Sequence, residues 1–290
     1  MKTPHTLIFG LLLLVSVCGC ATPQMTERGA VLTNVLYKSG VLTDYEQQRC
    51  VLDVYAPNSQ TGFATLVWFH GGGLTAGSKD GADTKQIARS LARGGVAVVV
   101  PNYRLSPRVK FPAYIQDAAA AVAWTRAHIA EHGGDTGRLF IGGHSAGGYL
   151  TLMLGLDKHY LQDFGVAPTA VAGLIPVSGQ TVTHFTVRAE RGLGKHTITA
   201  DAAAPVYFTR KDTPPMLVLY ADHDMAARAE ENAYLVALLQ GAGNKRVTGK
   251  MVADRTHGSI ANKIAGNKDP ARHAILDFIK VTGEVKLTAP

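Results

Sequence analysis

The chain of 290 residues is predicted to be an α/β protein with a mostly parallel central sheet and helices on both faces. Three observations predict this class. Short apolar runs alternate with longer segments in which apolar residues recur at helical spacing. Several of the short runs are apolar at nearly every position, as strands buried on both faces are. The length also suits one large α/β domain, which we expect over residues 27–283.

The predicted elements follow one another with short connections. Two strands come first, at 31–40 and 47–57, and are expected to form an antiparallel edge of the sheet. Runs rich in apolar and β-branched residues predict further strands at 63–70, 96–105, 138–143, 171–179, 214–222 and 247–253. Helical spacing, in several cases ended by glycine, predicts helices at 84–95, 111–134, 145–156, 229–243 and 270–283.

Residues 180–205 interrupt this alternation, because they lie between two predicted strands and show no clear periodicity. Ligands of open parallel sheets bind at the carboxyl ends of the strands, and connecting segments there often carry function. The segment is therefore a candidate for a small cap over that edge. A surface helix and loop without a functional role is the alternative.

The N-terminal segment has the pattern of an export signal. Lys2 precedes an apolar core at 7–17, which is shorter than a membrane span and is followed by small residues. The run that ends at Cys20 resembles a bacterial lipobox, so residues 1–20 are predicted to be a lipoprotein signal and Cys20 a lipidation site. This predicts a periplasm-facing outer-membrane lipoprotein. Plain secretion after cleavage near Ala21 is the alternative.

Charge and cysteine content exclude other classes of function. The formal net charge is +7, but lysine and arginine are scattered and no basic cluster is interleaved with aromatic residues, so no nucleic-acid partner is expected. Cys50 would be the one thiol of the mature domain, which rules out an internal disulfide. No cysteine and histidine cluster has the spacing of metal ligands, and no metal site is expected.

The most informative motif surrounds a serine. Residues 143–147 read Gly-His-Ser-Ala-Gly and lie between a predicted strand and a predicted helix. Glycines at these positions permit a strained strand-to-helix turn that holds the hydroxyl of Ser145 clear of the sheet. The helix that begins there points its free N–H groups at developing negative charge. Ser145 is therefore the candidate nucleophile, and His144 is interpreted as structural.

A second motif, His70-Gly71-Gly72-Gly73, follows the strand at 63–70. A tetrahedral oxyanion needs backbone N–H groups about 3 Å away, and glycines let the backbone come that close. The candidate donors are Gly72 and Gly73, with Ala146 as a third. A flexible turn or a phosphate-binding loop is the alternative, but the motif lacks the ending of a P-loop and the spacing of a dinucleotide fingerprint.

A nucleophilic serine needs a base and an acid, which follow it in this chain order. His257 is the candidate base, because it is expected in a loop after the last strand and before the final helix. The acid should follow the strand at 214–222, where Asp222 and Asp224 compete. The family resemblance given below, in which a Gly-Asp-x-Asp pattern is common at this turn, implies that Asp224 is the acid; Asp222, interpreted as a turn residue, is kept in reserve.

These motifs, together with the segments at 102–107 and 111–124, resemble the esterase branch of the α/β-hydrolase superfamily that carries an HGGG loop. That branch includes hormone-sensitive-lipase-like, acetyl-esterase-like, feruloyl-esterase-like and kynurenine-formamidase-like proteins. The resemblance spans about 51–280 and implies that Tyr103, Arg104 and Asp117 brace the scaffold. The chain departs from it at Ala221, where glycine is usual, and at 226–228, which lack the common hydrophobic-proline pattern.

The resemblance implies hydrolysis of short acyl or aryl esters through a Ser-His-Asp triad, without cofactor or metal. Two alternatives stay open from the sequence. An arylformamidase or small-amide hydrolase would use the same residues, although the export signal counts against it. A non-catalytic envelope lipoprotein would be expected to lack part of the machinery, whereas every part is present here.

Overall fold

The computed structural model describes residues 25–26, 29–58, 61–194 and 197–284, with side chains described from residue 32 to residue 283. The predicted signal at 1–20 and the predicted lipidation site Cys20 lie outside these residues. Within the described ranges, no helix combines the length and the apolar character needed to cross a membrane.

The described residues form a nine-stranded sheet in the order β1-β2-β3-β5-β4-β6-β7-β8-β9. The strands are β1 (Met25–Thr26), β2 (Gly29–Leu36), β3 (Val51–Tyr55), β4 (Phe63–Phe69), β5 (Ala97–Pro101), β6 (Gly134–His144), β7 (Gly173–Val177), β8 (Met216–His223) and β9 (Val247–Thr256). In this order, each pair of neighbouring strands from β5 through β4 to β9 is parallel. The pairs β1–β2, β2–β3 and β3–β5 are antiparallel. The predicted parallel sheet with an antiparallel edge is confirmed.

Helices cover both faces of the sheet. They are α1 (Asp44–Arg49), α2 (Ala82–Arg93), α3 (Ala113–His128), α4 (Ala146–Leu156), α5 (Lys158–Gln162), α6 (Phe185–Glu190), α7 (Arg228–Gly241), α8 (His257–Asn262) and α9 (Pro270–Glu284). Apolar residues of α3, α4, α5 and α7 pack into one core, and those of α2, α8 and α9 pack into a second core on the opposite face.

Strand β4 shows why the central strands are continuous apolar runs. All seven of its residues are buried, and successive side chains point to opposite faces. Val67 and Phe69 belong to the core on the α3 and α4 side, while Leu66 and Trp68 belong to the core on the α2 and α9 side. A polar residue at any of these positions would enter one core or the other.

The prediction that His257 lies in a loop is wrong, because His257 is the first residue of α8, directly after β9. A capping box starts this helix: the Thr256 hydroxyl accepts from the Ser259 N–H, and the Ser259 hydroxyl accepts from the Thr256 N–H. The predicted strand at 47–57 likewise begins only at Val51, because α1 occupies the residues before it.

Candidate active site

Ser145 lies alone between β6 and α4, with φ 56° and ψ −115°. A positive φ is uncommon for a residue with a Cβ, and it turns the chain sharply from strand to helix. The N–H of Ser145 donates to the carbonyl of Val177 at 2.9 Å, which ties the turn to β7. The hydroxyl is thereby presented at the carboxyl edge of the parallel sheet.

The glycines around Ser145 are required by close backbone packing. A Cβ on Gly143 would lie 2.6 Å from the carbonyl oxygen of Phe69, and a Cβ on Gly147 would overlap that oxygen. A Cβ on Gly148 would lie 2.8 Å from the Cα of Gly179. The start of α4 therefore rests directly on the ends of β4 and β7, with no room for side chains.

His257 joins the candidate nucleophile to the candidate acid. Its Nε2 lies 2.8 Å from the Ser145 Oγ, and its Nδ1 lies 2.6 Å from an oxygen of Asp224. The three side chains come from the turn after β6, the turn after β8 and the start of α8. An imidazole hydrogen-bonded on both nitrogens in this way can take a proton from the serine while the carboxylate keeps its orientation.

The surroundings of Asp224 keep its carboxylate ionised. Burial by itself raises the pKa of Asp224, but hydrogen bonds from His257, from the Ser178 hydroxyl and from the Met225 N–H bring the pKa below its ordinary value. Its side chain is almost completely buried. The result is an anion that faces His257 and is shielded from water.

Asp222 has a different position. Its carboxylate accepts from the N–H groups of Asp254 and Arg255 at 2.8 Å each, and from the N–H of His223 at 3.0 Å. Asp254 has φ 56°, so the carboxylate holds a bend near the end of β9, just before His257. The structure thus brings Asp224, and not the reserve acid Asp222, into contact with the His257 ring.

His144 contacts both the backbone and the ring of the candidate base, His257. Its Nε2 and the carbonyl oxygen of His257 are 2.7 Å apart, and the two imidazole rings lie 4.7 Å apart. Desolvation by burial, followed by the nearness of His257, lowers the pKa of His144 to about 4. A neutral His144 that donates to this carbonyl fixes the backbone at the base, which fits a structural role.

The glycine loop after β4 lies beside Ser145. A Cβ on Gly71 would lie 3.4 Å from the Cβ of Ser145. Gly72 and Gly73 have φ 114° and 63°, and a Cβ on Gly72 would overlap the carbonyl of Ala76. Ala146 is the first residue of α4, where the backbone N–H has no partner within the helix. Of the three predicted oxyanion donors, Ala146 directly follows Ser145, and Gly72 and Gly73 directly follow Gly71, which lies beside the serine.

His70, the residue directly before the three glycines, stabilises the glycine loop. Its ring stacks on Tyr103 at a centroid distance of 4.4 Å, and its Nδ1 lies 2.7 Å from the carbonyl oxygen of Gly71. The Tyr103 hydroxyl donates to the carbonyl of His70 at 2.8 Å. Burial lowers the pKa of His70 to about 4. The loop is therefore held by a neutral, stacked imidazole.

Helix α6, inside the segment 180–205, reaches the same loop. The Thr186 hydroxyl donates to the carbonyl of Gly73 at 2.5 Å. A Cβ on Gly73 would lie 2.9 Å from the ring of Phe185, which is 37% exposed. The rings of Tyr149, His184 and Phe185 form a continuous row from α4 to this point. The segment thus lies against the candidate oxyanion loop.

Residues of this site that the sequence analysis missed include Ser178, Phe185 and Thr186. They belong to no recognisable motif, but Ser178 directly follows a central strand, and that position was the available signal. Among the described residues, no group of three or more histidine, cysteine, aspartate or glutamate side chains is arranged to hold a metal ion.

Three features together define an α/β-hydrolase: a parallel sheet, a serine in a sharp strand-to-helix turn (here called the elbow), and a later aspartate and histidine, of which the histidine contacts both the serine and the aspartate. The chain belongs to the BD-FAE family, whose model matches residues 52–239. Two solved structures share the fold. One is a truncated form of a carbohydrate esterase from gut microbiota, with a TM-score of 0.74 and 21% identity, covering 89% of this chain and 98% of that one.

The second solved structure is a hyperthermophilic esterase from the archaeon Pyrobaculum calidifontis. It has a TM-score of 0.63 and 25% identity and covers 80% of each chain. Among curated proteins of Mycobacterium tuberculosis, the chain is 35% identical to the probable carboxylic ester hydrolase LipM over 57% of this chain and 42% of that one. It is 28% identical to the carboxylesterase NlhH over 65% and 64%. The chain thus covers less than two thirds of the length of either curated relative.

Proposed function

We propose that the protein is a serine carboxylesterase that hydrolyses short acyl or aryl esters. The observation that carries the proposal is the placement of His257, within 2.8 Å of the Ser145 hydroxyl and 2.6 Å of Asp224. The curated relatives named as carboxylic ester hydrolases support the same class of reaction.

In the proposed reaction the Ser145 oxygen attacks the ester carbonyl carbon while His257 Nε2 takes the hydroxyl proton. The N–H groups of Gly72, Gly73 and Ala146 hold the oxyanion of the tetrahedral intermediate. When the intermediate collapses, His257 returns the proton to the departing alcohol and an acyl-enzyme remains. Water, deprotonated by His257, then attacks the acyl carbonyl carbon. As the bond from the acyl carbon to the Ser145 oxygen breaks, His257 returns the proton to that oxygen and the carboxylic acid leaves.

The test is hydrolysis of p-nitrophenyl esters from acetate to dodecanoate by the wild type and by Ser145→Ala. We expect turnover that is highest on short chains and that falls by about 10⁵-fold or more in the variant. Circular dichroism would show that the variant is folded. Comparable activity of the two proteins would overturn the assignment of the nucleophile.

The choice of acid is tested by comparing Asp224→Asn with Asp222→Asn. Asp224→Asn is expected to lower kcat by about 10³-fold to 10⁴-fold, because an amide cannot stabilise the imidazolium. Asp222→Asn loosens the bend before His257 and is expected to lower kcat much less than Asp224→Asn does. The reverse ranking in a p-nitrophenyl acetate assay would make Asp222 the acid.

We also propose that the protein is anchored in the cell envelope through lipid on Cys20, facing the periplasm. The support is the apolar run at 7–17 followed by small residues and cysteine. Cys20→Ala is expected to move the protein from the membrane fraction to the soluble fraction. Unchanged membrane retention would rule out this anchor.

A further inference from the structure

The two oxygens of Asp224 have different partners. Oδ1 lies 2.6 Å from His257 Nδ1 and also accepts from the Met225 N–H at 2.8 Å. Oδ2 accepts from the Ser178 hydroxyl at 2.5 Å and, more distantly, from the Ala221 N–H at 3.3 Å. Within the described part of the chain, Ser178 is thus the side chain that holds the oxygen turned away from the base.

Ser178 is built into a constrained position. It directly follows β7, is fully buried and has φ 48°, a conformation that residues with a Cβ seldom adopt. Its N–H donates to the carbonyl of Leu219, and its carbonyl accepts from the buried Arg228 at 3.3 Å. The next carbonyl, of Gly179, accepts from Asn232 at 2.8 Å. Strain of this kind persists where the surroundings over-determine it, and it concentrates at functional sites.

Resting on the proposed function, we infer that Ser178 is a positioning residue for the triad: its hydroxyl locks the Asp224 carboxylate so that the other oxygen faces His257. Without this hydroxyl, the second oxygen keeps only the long hydrogen bond from the Ala221 N–H at 3.3 Å, and the carboxylate can rotate about its Cβ–Cγ bond more easily. The His257 ring would then lose the fixed partner that keeps Nε2 directed at the serine. A charge-assisted hydrogen bond inside a buried site is strong enough to prevent this.

The test uses Ser178→Ala and Ser178→Gly, with Thr125→Val as the matched control. Glycine suits the positive φ, so that variant removes the hydroxyl while relieving backbone strain. Thr125 is fully buried in α3, and its hydroxyl donates to the carbonyl of Ala121 in its own helix. We expect both Ser178 variants to lose about tenfold in kcat on p-nitrophenyl acetate with little change in KM, the size of one charge-assisted hydrogen bond. Thr125→Val should keep kcat within twofold.

A double-mutant cycle separates positioning from a general structural effect. Ser178→Ala is added to Asp224→Ala, and the residual rate is measured. If Ser178 acts through Asp224, the second change costs nothing further. An equal cost in both backgrounds, or a kcat within twofold of wild type for Ser178→Gly, overturns the inference. Unchanged activity of Asp224→Ala alone would instead overturn the proposed triad.

Discussion

At the scale of single residues, the glycines around Ser145 allow close backbone packing and thereby position the serine hydroxyl. Ser145 adopts a positive φ that costs on the order of 1–3 kcal/mol, and the protein keeps it because neighbouring backbones press against Gly143, Gly147 and Gly148. The turn brings the serine hydroxyl to the sheet edge where His257 begins α8. A side chain at any of the three glycines would push the elbow away from that position.

Gly147→Ala is predicted to be strongly destabilising. Its Cβ would overlap the carbonyl of Phe69, so either β4 or α4 must move, at a cost of roughly 3 kcal/mol or more. The free energy of unfolding, measured in urea, tests this. Gly241→Ala is the matched control, because nothing lies within 4 Å of the added methyl group and the site ends helix α7. Equal stability of the two variants would contradict the packing at the elbow.

The sequence sufficed to name Ser145 and His257 as candidates, because each follows a predicted strand. The choice of Asp224 over Asp222 rested on the resemblance to known hydrolases. It did not reveal Ser178. Whether that hydroxyl reaches Asp224 depends on a positive φ after β7 and on the spacing between β7 and β8, and both are set by tertiary packing. Residues that act through another side chain leave no periodicity or motif to read.

At the scale of elements, α6 couples the segment 180–205 to the loop that carries the candidate oxyanion donors. Thr186 holds the carbonyl of Gly73, and Phe185 lies against the α-carbon of the same glycine. Under the proposed function, groups attached to an ester carbonyl held at this loop would lie near the Phe185 ring. We therefore expect this exposed aromatic side chain to contact the apolar part of the proposed ester substrate.

Phe185→Ala is predicted to change substrate preference. We expect KM for p-nitrophenyl hexanoate to rise about fivefold, because the acyl chain loses an apolar contact, while KM for the acetate changes much less. Steady-state kinetics on the two esters tests this. Phe164→Ala is the matched control, since Phe164 is 38% exposed against 37% for Phe185 but follows α5 and lines a groove beside Trp124 and His128 of α3. Equal effects on both esters would exclude a role in acyl recognition.

Element length decided which parts of the fold could be predicted. The long helices α2, α3, α7 and α9 and the buried strands carry enough residues for their spacing to be recognised. Helices α1, α5 and α8 have five or six residues each, fewer than two turns, so side-chain caps define them and periodicity does not. That is why the start of α8 at His257 was mistaken for a loop.

At the scale of the whole molecule, the buried histidines His70 and His184 and the half-buried His144 make stability depend on pH. Burial lowers the pKa of His70 and of His144 to about 4 and lowers the pKa of His184 well below its ordinary value. In the unfolded chain the same imidazoles titrate near 6.5. The unfolded state therefore binds more protons than the folded state between about pH 6.5 and pH 4, and acidification across that window favours unfolding.

The free energy of unfolding is accordingly predicted to fall between pH 7 and pH 4.5, before the carboxylates with lowered pKa values, such as Asp224, begin to lose their contribution below about pH 4. The shift at His70 alone corresponds to about 2 kcal/mol at pH 4.5.

His70→Asn retains a donor near the Gly71 carbonyl but cannot titrate. It should be less stable at pH 7, through loss of the ring stacked on Tyr103, yet should lose less on acidification. His273→Asn, which makes the same replacement at an exposed histidine, is the control for the substitution itself. Urea unfolding at the two pH values measures both differences. A His70→Asn protein with the full wild-type loss would show that this imidazole does not carry the acid sensitivity of the fold.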